Sequence, residues 1–131
     1  MLGTRNAVAN LAVSDLDRAR DFYTRTLGLE EIDHEGDELF VLKSGDTTIN
    51  VYRSEYAGTN EATAVTWEVD DIDGEVAALQ EKGIAFEHYD MPDLRQEGDL
   101  HIADDFKIAW FKDPDGNILN IVGKLREPAT A

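Results

Sequence analysis

Apolar residues along this chain fall in short runs whose period changes from place to place. Residues 7–13 (Ala-Val-Ala-Asn-Leu-Ala-Val) are almost continuously apolar and stop at Ser14-Asp15, the pattern of a short buried strand. From Leu16 the spacing becomes helical, with Leu16, Ala19, Phe22, Tyr23 and Leu27 on one face. Ser14 or Asp15 can cap that helix, Asp17 stands in the first turn where the helix dipole favours a carboxylate, and Gly28 can close the C-terminus. Residues 38–43 and 47–52 read as two strands joined by Ser44-Gly45-Asp46, and the small polar residues at 56–61 suit a connection.

The pattern then restarts. Residues 64–69 read as a strand, Asp70-Asp71 as a cap, and Ile72, Val76 and Leu79 as one helical face ending at Gly83. Residues 84–89 suit a further strand. Residues 91–105 hold Pro92, Gly98 and five acidic side chains and read as a surface loop, with a lid over a cavity as the alternative. Beyond them Asp113-Pro114-Asp115-Gly116 has the sequence of a type I turn followed by a positive-φ glycine, so residues 108–111 and 118–122 form a β-hairpin. Asn120 is then one polar residue inside an otherwise apolar strand.

The two halves repeat. Val13-Ser14-Asp15-Leu16-Asp17 lies over Val69-Asp70-Asp71-Ile72-Asp73 at an offset of 56 positions, and Ile49-Asn50-Val51 lies over Leu119-Asn120-Ile121. A strand-helix-strands unit is therefore duplicated. The fold class is α+β, a single domain over 1–131 with one module at about 5–56, a connection at about 57–62, a second module at about 63–124 and a short tail at 125–131.

Composition narrows the function classes. Twenty-eight acidic against 12 basic side chains give a formal charge of −16, which repels a nucleic-acid backbone. The same charge serves solubility or a salty environment, and would attract a cationic ligand. With no cysteine, a disulfide, a zinc-thiolate centre and a thiol nucleophile are excluded. No signal-peptide pattern and no apolar window long enough for a membrane span occur, so a soluble, cytoplasmic protein is expected. Ser14, Ser44 and Ser54 sit in cap or turn contexts and carry no nucleophile signature.

Three blocks carry a resemblance: Val13-Ser14-Asp15-Leu16 with Phe22-Tyr23 and Leu27-Gly28-Leu29, Trp67-Glu68-Val69-Asp70-Asp71-Ile72 with Lys82-Gly83, and Phe111-Lys112-Asp113-Pro114-Asp115-Gly116-Asn117. In that order they resemble the vicinal oxygen chelate superfamily, the group of glyoxalase I, extradiol dioxygenases and the bleomycin- and fosfomycin-resistance proteins. The resemblance implies paired βαβββ modules, the glyoxalase/bleomycin resistance fold, whose curved mixed sheets form a cleft, and it implies a homodimer. It does not by itself fix a reaction.

Metal enzymes of that superfamily place ligands in the first and last strand of each module. Carried onto this chain, those four places hold Val8, Asn50, Ala64 and Asn120, with a register uncertainty of one at Asn50. None is a carboxylate or an imidazole, and neutral amides alone do not compensate for dehydrating a divalent ion. No metal and no cofactor are expected. Strand alternation puts Val8, Asn10, Thr48, Asn50, Tyr52, Thr66, Glu68, Trp110 and Asn120 on the cleft lining, a mix of apolar walls, amides, hydroxyls and rings that suits a small organic molecule. Glu68 is the one carboxylate there and could hold a cation or act as a general base. His34, His88 and His101 read as surface histidines, and His101 with Asp104 and Asp105 is the one residual metal candidate.

The leading expectation is a metal-free protein that binds a small aromatic, cationic or antibiotic-like molecule. The alternative is a lyase, isomerase or dioxygenase of this superfamily that uses Glu68 or an unconventional metal site. A protein-interaction module with a filled cleft is the third.

Overall fold

A computed structural model describes residues 1–124, and the tail expected at 125–131 lies outside the described residues. The chain divides into two units, the first made of Met1–Glu61 with Asp113–Asn117, the second of Ala62–Lys112 with residues 118–124. The architecture is mixed α+β with two mixed sheets and few helices.

In the first unit β1 (Ala9–Val13) leads to α1 (Leu16–Asp21), which continues through a π-helical turn over Phe22–Thr26. Three strands follow, β2 (Glu30–Glu35), β3 (Leu39–Ser44) and β4 (Thr47–Arg53). The sheet order is β1-β4-β3-β2, with β1 parallel to β4 and the other pairs antiparallel. Asp15 caps α1 by accepting from the Arg18 N–H at 3.1 Å, satisfying one of the donors a helix start leaves free. Leu11, Val13, Phe40, Leu42, Ile49 and Val51 alternate inward and are buried with Leu16, Ala19 and Tyr23 of the helical segment. Strand β2 was not expected from sequence. Glu-Glu-Ile-Asp-His-Glu lacks apolar alternation because it is an edge strand, mostly exposed, with a register shift between Glu31 and Asp33.

The turn at Asp113–Asn117 belongs to this unit because of its hydrogen bonds. The Gly116 N–H bonds the Asp113 carbonyl at 3.0 Å and Gly116 has φ +91°, the expected turn. Asp113 is 5% exposed, yet both carboxylate oxygens are satisfied. Oδ2 accepts from the Tyr23 hydroxyl at 2.6 Å and from Asn117 Nδ2 at 2.8 Å. Oδ1 accepts from the backbone N–H groups of Asp115 at 2.9 Å and Asn117 at 2.8 Å. Asn117 Nδ2 also reaches the Ala12 carbonyl at 2.8 Å. Asp115 in turn accepts from the Ser14 N–H and hydroxyl and from the Arg18 guanidinium. Gly58 closes the arrangement: a Cβ there would stand 2.0 Å from the Asp115 carbonyl oxygen. Burial first, then the Asp113 charge, push the Tyr23 hydroxyl well above its usual range, so it stays a donor.

In the second unit β5 (Thr63–Val69) leads to α2 (Ile72–Glu81), capped by Asp71 through the Gly74 N–H at 3.1 Å. Four strands follow: β6 (Arg95–Glu97), β7 (Leu100–Ile102), β8 (Phe106–Lys112) and β9 (Ile118–Lys124). The order is β5-β9-β8-β7-β6, with β5 parallel to β9. Ile72 and Val76 of α2 are buried, and Gly123 lies so close to Ile72 that a Cβ would meet its Cβ at 2.9 Å.

Two expectations are corrected here. Residues 84–89 are not a strand; only Glu87 meets β8, donating its N–H to the Trp110 carbonyl at 2.8 Å, because β7 takes the rest of that edge. Residues 91–105 are not simply a surface loop. They fold into the β6–β7 hairpin, turned at Gly98 with φ +60°, and His101 and Ile102 are buried.

Replacing Tyr23 by Phe leaves the Asp113 carboxylate short of one donor and is expected to cost about 1–3 kcal/mol. Asp113→Asn, which turns one acceptor oxygen into a donor facing donors, is expected to cost more. Urea denaturation with an unchanged slope checks both.

Candidate functional site

Each sheet packs one face on its helix; the other face is open in the first sheet, whereas in the second it buries Trp110 and Asn120. On the open face of the first sheet Asn10 stands opposite Asn50 in the parallel β1–β4 pair. Asn50 Nδ2 donates to Asn10 Oδ1 at 3.2 Å, and Asn10 Nδ2 donates to the Val8 carbonyl at 3.4 Å. Thr48 and Tyr52 flank Asn50 on the same face by alternation, Thr48 half-buried and Tyr52 exposed. Val8 lies just before β1 and is exposed.

The second sheet repeats the arrangement. Thr66 of β5 stands opposite Asn120 of β9, and Asn120 stands opposite Trp110 of β8. Asn10 and Thr66 are themselves 56 positions apart, the offset of the repeat, so Asn50 and Asn120 are equivalent and the register uncertainty at Asn50 is removed. Asn120 is buried and Thr66 exposed. Glu68 stands opposite Val122 and is exposed. Ala64, also exposed, falls where a register shift interrupts the β5–β9 ladder between Thr63 and Val65. Trp110 is buried and donates its indole N–H to the Thr63 hydroxyl at 3.1 Å.

Sequence reasoning missed the groups packed beside Trp110. His101, expected at the surface, is wholly buried: it stands opposite Ile108 in the β7–β8 pair and packs on Trp110, which shares a face with Ile108. Its ring centroid is 4.8 Å from that of Trp110, at 88° between planes. Tyr89 meets Trp110 at 5.3 Å and 84°. Both are edge-to-face contacts of the favoured kind. The Tyr89 backbone N–H donates to His101 Nε2 at 2.9 Å. That nitrogen must therefore carry a lone pair, and the proton of the neutral ring sits on Nδ1. Among the described residues three buried side-chain atoms lack a hydrogen-bond partner: Tyr89 Oη, His101 Nδ1 and Asn120 Oδ1. The sequence offered no signal for it, since alternation at 100–102 turns the one polar residue away from its apolar neighbours, the pattern of an exposed side chain.

The other histidines are placed differently. His88 is half exposed and its Nε2 lies 2.7 Å from Asp99. That bond holds the Asp99 carboxyl below the usual carboxylate range. His34 is exposed. Among the described residues no group of three or more His, Cys, Asp or Glu side chains is arranged to hold a metal ion. His101 offers no pairing with Asp104 and Asp105 for that purpose, since its Nε2 is occupied by Tyr89 and both aspartates are exposed. Among the described residues no helix is long and apolar enough to cross a membrane.

Comparison with known proteins supplies the context. The sequence model of the Glyoxalase/Bleomycin resistance protein/Dioxygenase superfamily matches residues 5–121. Among solved structures the chain is similar to TnmS3, an antibiotic binding protein from Streptomyces sp. CB03234, at 24% identity over 89% of this chain and 93% of that one, with a TM-score of 0.62. It is similar to a glyoxalase/bleomycin resistance protein from the same strain at 25% identity, covering 88% and 97%, with a TM-score of 0.60. A lactoylglutathione lyase from Agrobacterium tumefaciens aligns at 17% identity over 92% and 93%, with a TM-score of 0.68, which shows a shared fold. No curated protein matches the chain in sequence.

Burial holds the His101 imidazole below its ordinary value of 6.5. A base whose folded-state value is depressed adds stability above its unfolded value and loses it as pH falls through that value. The melting temperature should therefore drop between about pH 7 and pH 5, above the range where carboxylates titrate. His101→Gln, which keeps an acceptor for Tyr89 and does not ionise, should flatten that drop in calorimetry.

Proposed function

The chain belongs to the Glyoxalase/Bleomycin resistance protein/Dioxygenase superfamily, and on that premise we propose that it binds a small organic molecule without a metal and without transforming it. The observation that carries this reading is Asn120. Where the superfamily's metal enzymes carry a carboxylate this chain has an amide, and its repeat mate Asn50 is an amide hydrogen-bonded to a third, Asn10. Amides recognise a ligand by donating and accepting, and they lack the charge that stabilises a bound divalent ion. On the second sheet Thr66, Trp110 and Asn120 are the ligand-binding residues. On the first, Val8, Asn10, Thr48, Asn50 and Tyr52 offer a surface of the same chemistry. The likeness to TnmS3, whose name describes antibiotic binding, supports a ligand of that kind, and the chain's charge of −16 is compatible with an aromatic or cationic one. Within the superfamily two modules commonly pair across two chains, which supports a homodimer of this 14.6 kDa chain.

Protein purified without chelators should contain no stoichiometric divalent ion, and compounds from a library of antibiotics and metabolites that quench tryptophan fluorescence should do so equally in excess EDTA. One tightly held ion per chain, lost in Asn120→Leu, would overturn the reading. The enzymatic alternative turns on Glu68. Glu68→Gln should leave affinity within about twofold, whereas turnover of a bound compound that this substitution abolishes would establish that alternative. Equilibrium sedimentation should give about twice the chain mass.

A further inference from the structure

The β6–β7 hairpin is held to its unit at few points. Among the described residues β6 pairs with β7 alone and is exposed throughout, and β7 meets β8 at two residue pairs, His101 with Ile108 and Ile102 with Lys107. The other ties run through residues 87–89 and α2. The Tyr89 N–H donates to His101 Nε2 at 2.9 Å, and Gln96 Nε2 donates to the Tyr89 carbonyl at 3.2 Å. At the turn of the hairpin Asp99 accepts from His88 Nε2 at 2.7 Å and from Gln80 Nε2 at 2.5 Å.

Two histidines thus fasten one hairpin, and they answer a proton in opposite ways. His88 donates to a carboxylate, a bond that a charged imidazole makes at least as well as a neutral one. His101 accepts on Nε2, so a proton placed there confronts the Tyr89 N–H, donor against donor. It also puts a charge on a wholly buried ring packed on Trp110 and Tyr89. The titratable and charged groups around that ring offer it no counter-charge. The His88 ring is 6.2 Å away between centroids, and Asp99 behind it is already engaged. Glu87, opposite Trp110, is turned to Lys112 at 3.7 Å. On β6, Arg95 and Glu97 pair with each other at 3.0 Å on the face away from Gln96 and His101, and on β8 Lys107 reaches Asp73 of α2 at 3.2 Å.

We propose that the β6–β7 hairpin is a proton-released cover over Trp110: neutral His101 fastens it, and protonation of Nε2 lets it lift while the sheet beneath stays folded. Trp110 belongs to the ligand-binding set, so the proposal rests on the binding reading above and adds regulation of that site by pH. Local opening is the cheap response, because an edge hairpin of two three-residue strands gives up far less buried surface than the β5-β9-β8 core of its sheet. The lifted form takes up the proton at the ordinary imidazole value of 6.5. The closed form does so lower, since burial outweighs the backbone groups of Ile108 and Tyr89 beside the ring. By linkage the lifted form gains population as pH falls through 6.5, up to about thirtyfold between pH 7.5 and pH 5.

Amide hydrogen exchange on the intact chain, followed by NMR and corrected for the intrinsic effect of pH on exchange, tests this. At both pH 7.5 and pH 5 the amides of Tyr89 and β7 should be protected at least tenfold less than those pairing β8 with β9, and their protection should fall at least tenfold between the two. His101→Gln, which keeps an acceptor and does not ionise, should abolish that fall, whereas His88→Gln should leave it. Equal protection of the hairpin and the β8–β9 ladder would overturn the proposal by showing that the hairpin opens only when the whole unit unfolds. Protection that does not change with pH would overturn it too, as would a fall that persists in His101→Gln or disappears in His88→Gln. The wild-type measurements decide the first two outcomes whether or not either variant folds. No ligand enters the experiment, so its failure leaves the binding reading intact, and a fluorescence library without a ligand would leave the opening of the hairpin intact.

Discussion

The carboxylate of Asp113 organises more of this protein than any other single group. It is buried, and a buried carboxylate is tolerated only when its charge meets several donors. Four come to it, from Tyr23, from Asn117 twice and from Asp115. Two of those donors are backbone N–H groups of its own turn, so the charge and the turn conformation support each other. The Tyr23 hydroxyl ties the turn to the helical segment after α1, and Asn117 ties it to β1 through the Ala12 carbonyl. The turn also sets the pairing of β8 with β9. Lys112 meets Ile118 immediately outside it, and counting outward puts Trp110 opposite Asn120. A slip of one residue would exchange the faces of both strands. The chemistry of the face that carries Trp110 and Asn120 thus depends on hydrogen bonds made at the end of the hairpin.

The repeated plan of the two units follows from the same economy of local signals. Asp15 and Asp71, 56 positions apart, each cap a helix that starts with a buried aliphatic residue. In each unit the strand before the helix runs parallel to the last strand, and this parallel pair brings Asn10 to Asn50 and Thr66 to Asn120. These features were legible because each rests on a few consecutive residues: a cap, a change from period two to period 3.6, a glycine with positive φ. The β1–β4 and β5–β9 partnerships join residues far apart in sequence, and they were legible only through the repeat and the family resemblance.

What could not be read has a physical reason in each case. Strand β2 takes its place by backbone pairing with β3, and as an edge strand it needs no apolar face. The β6–β7 hairpin has three-residue strands, too short for a period to register, and acidic neighbours that point to a loop. Its one informative residue, His101, is polar, so burial ran against its type. The proposed ligand-binding residues on the strands were legible because alternation assigns a face without any knowledge of contacts. Tyr89 and His101 were not, because what marks them is the absence of a hydrogen-bond partner, a property that exists only once the chain has folded.

That absence bears on how a metal-binding scaffold can change its use. A strand position facing inward with a carboxylate must have a cation or several donors, as Asp113 has, because the cost of burying an unpaired charge is large. With an amide at the same position the demand is weaker but does not vanish. The residue still lacks a partner for its amide oxygen, and a neutral donor suffices to satisfy it. At the usual cost of about 1–3 kcal/mol for a buried polar group left unsatisfied, three such groups are a substantial fraction of the 5–15 kcal/mol by which a domain is ordinarily stable. The deeply buried and fully bonded Asp113 cluster lies in the first unit, while the unsatisfied atoms lie in the second. Bonded and unbonded buried polar groups are thereby assigned to different residues: the hairpin end is saturated with hydrogen bonds, while Asn120 on the strand leaving it keeps its amide oxygen without one.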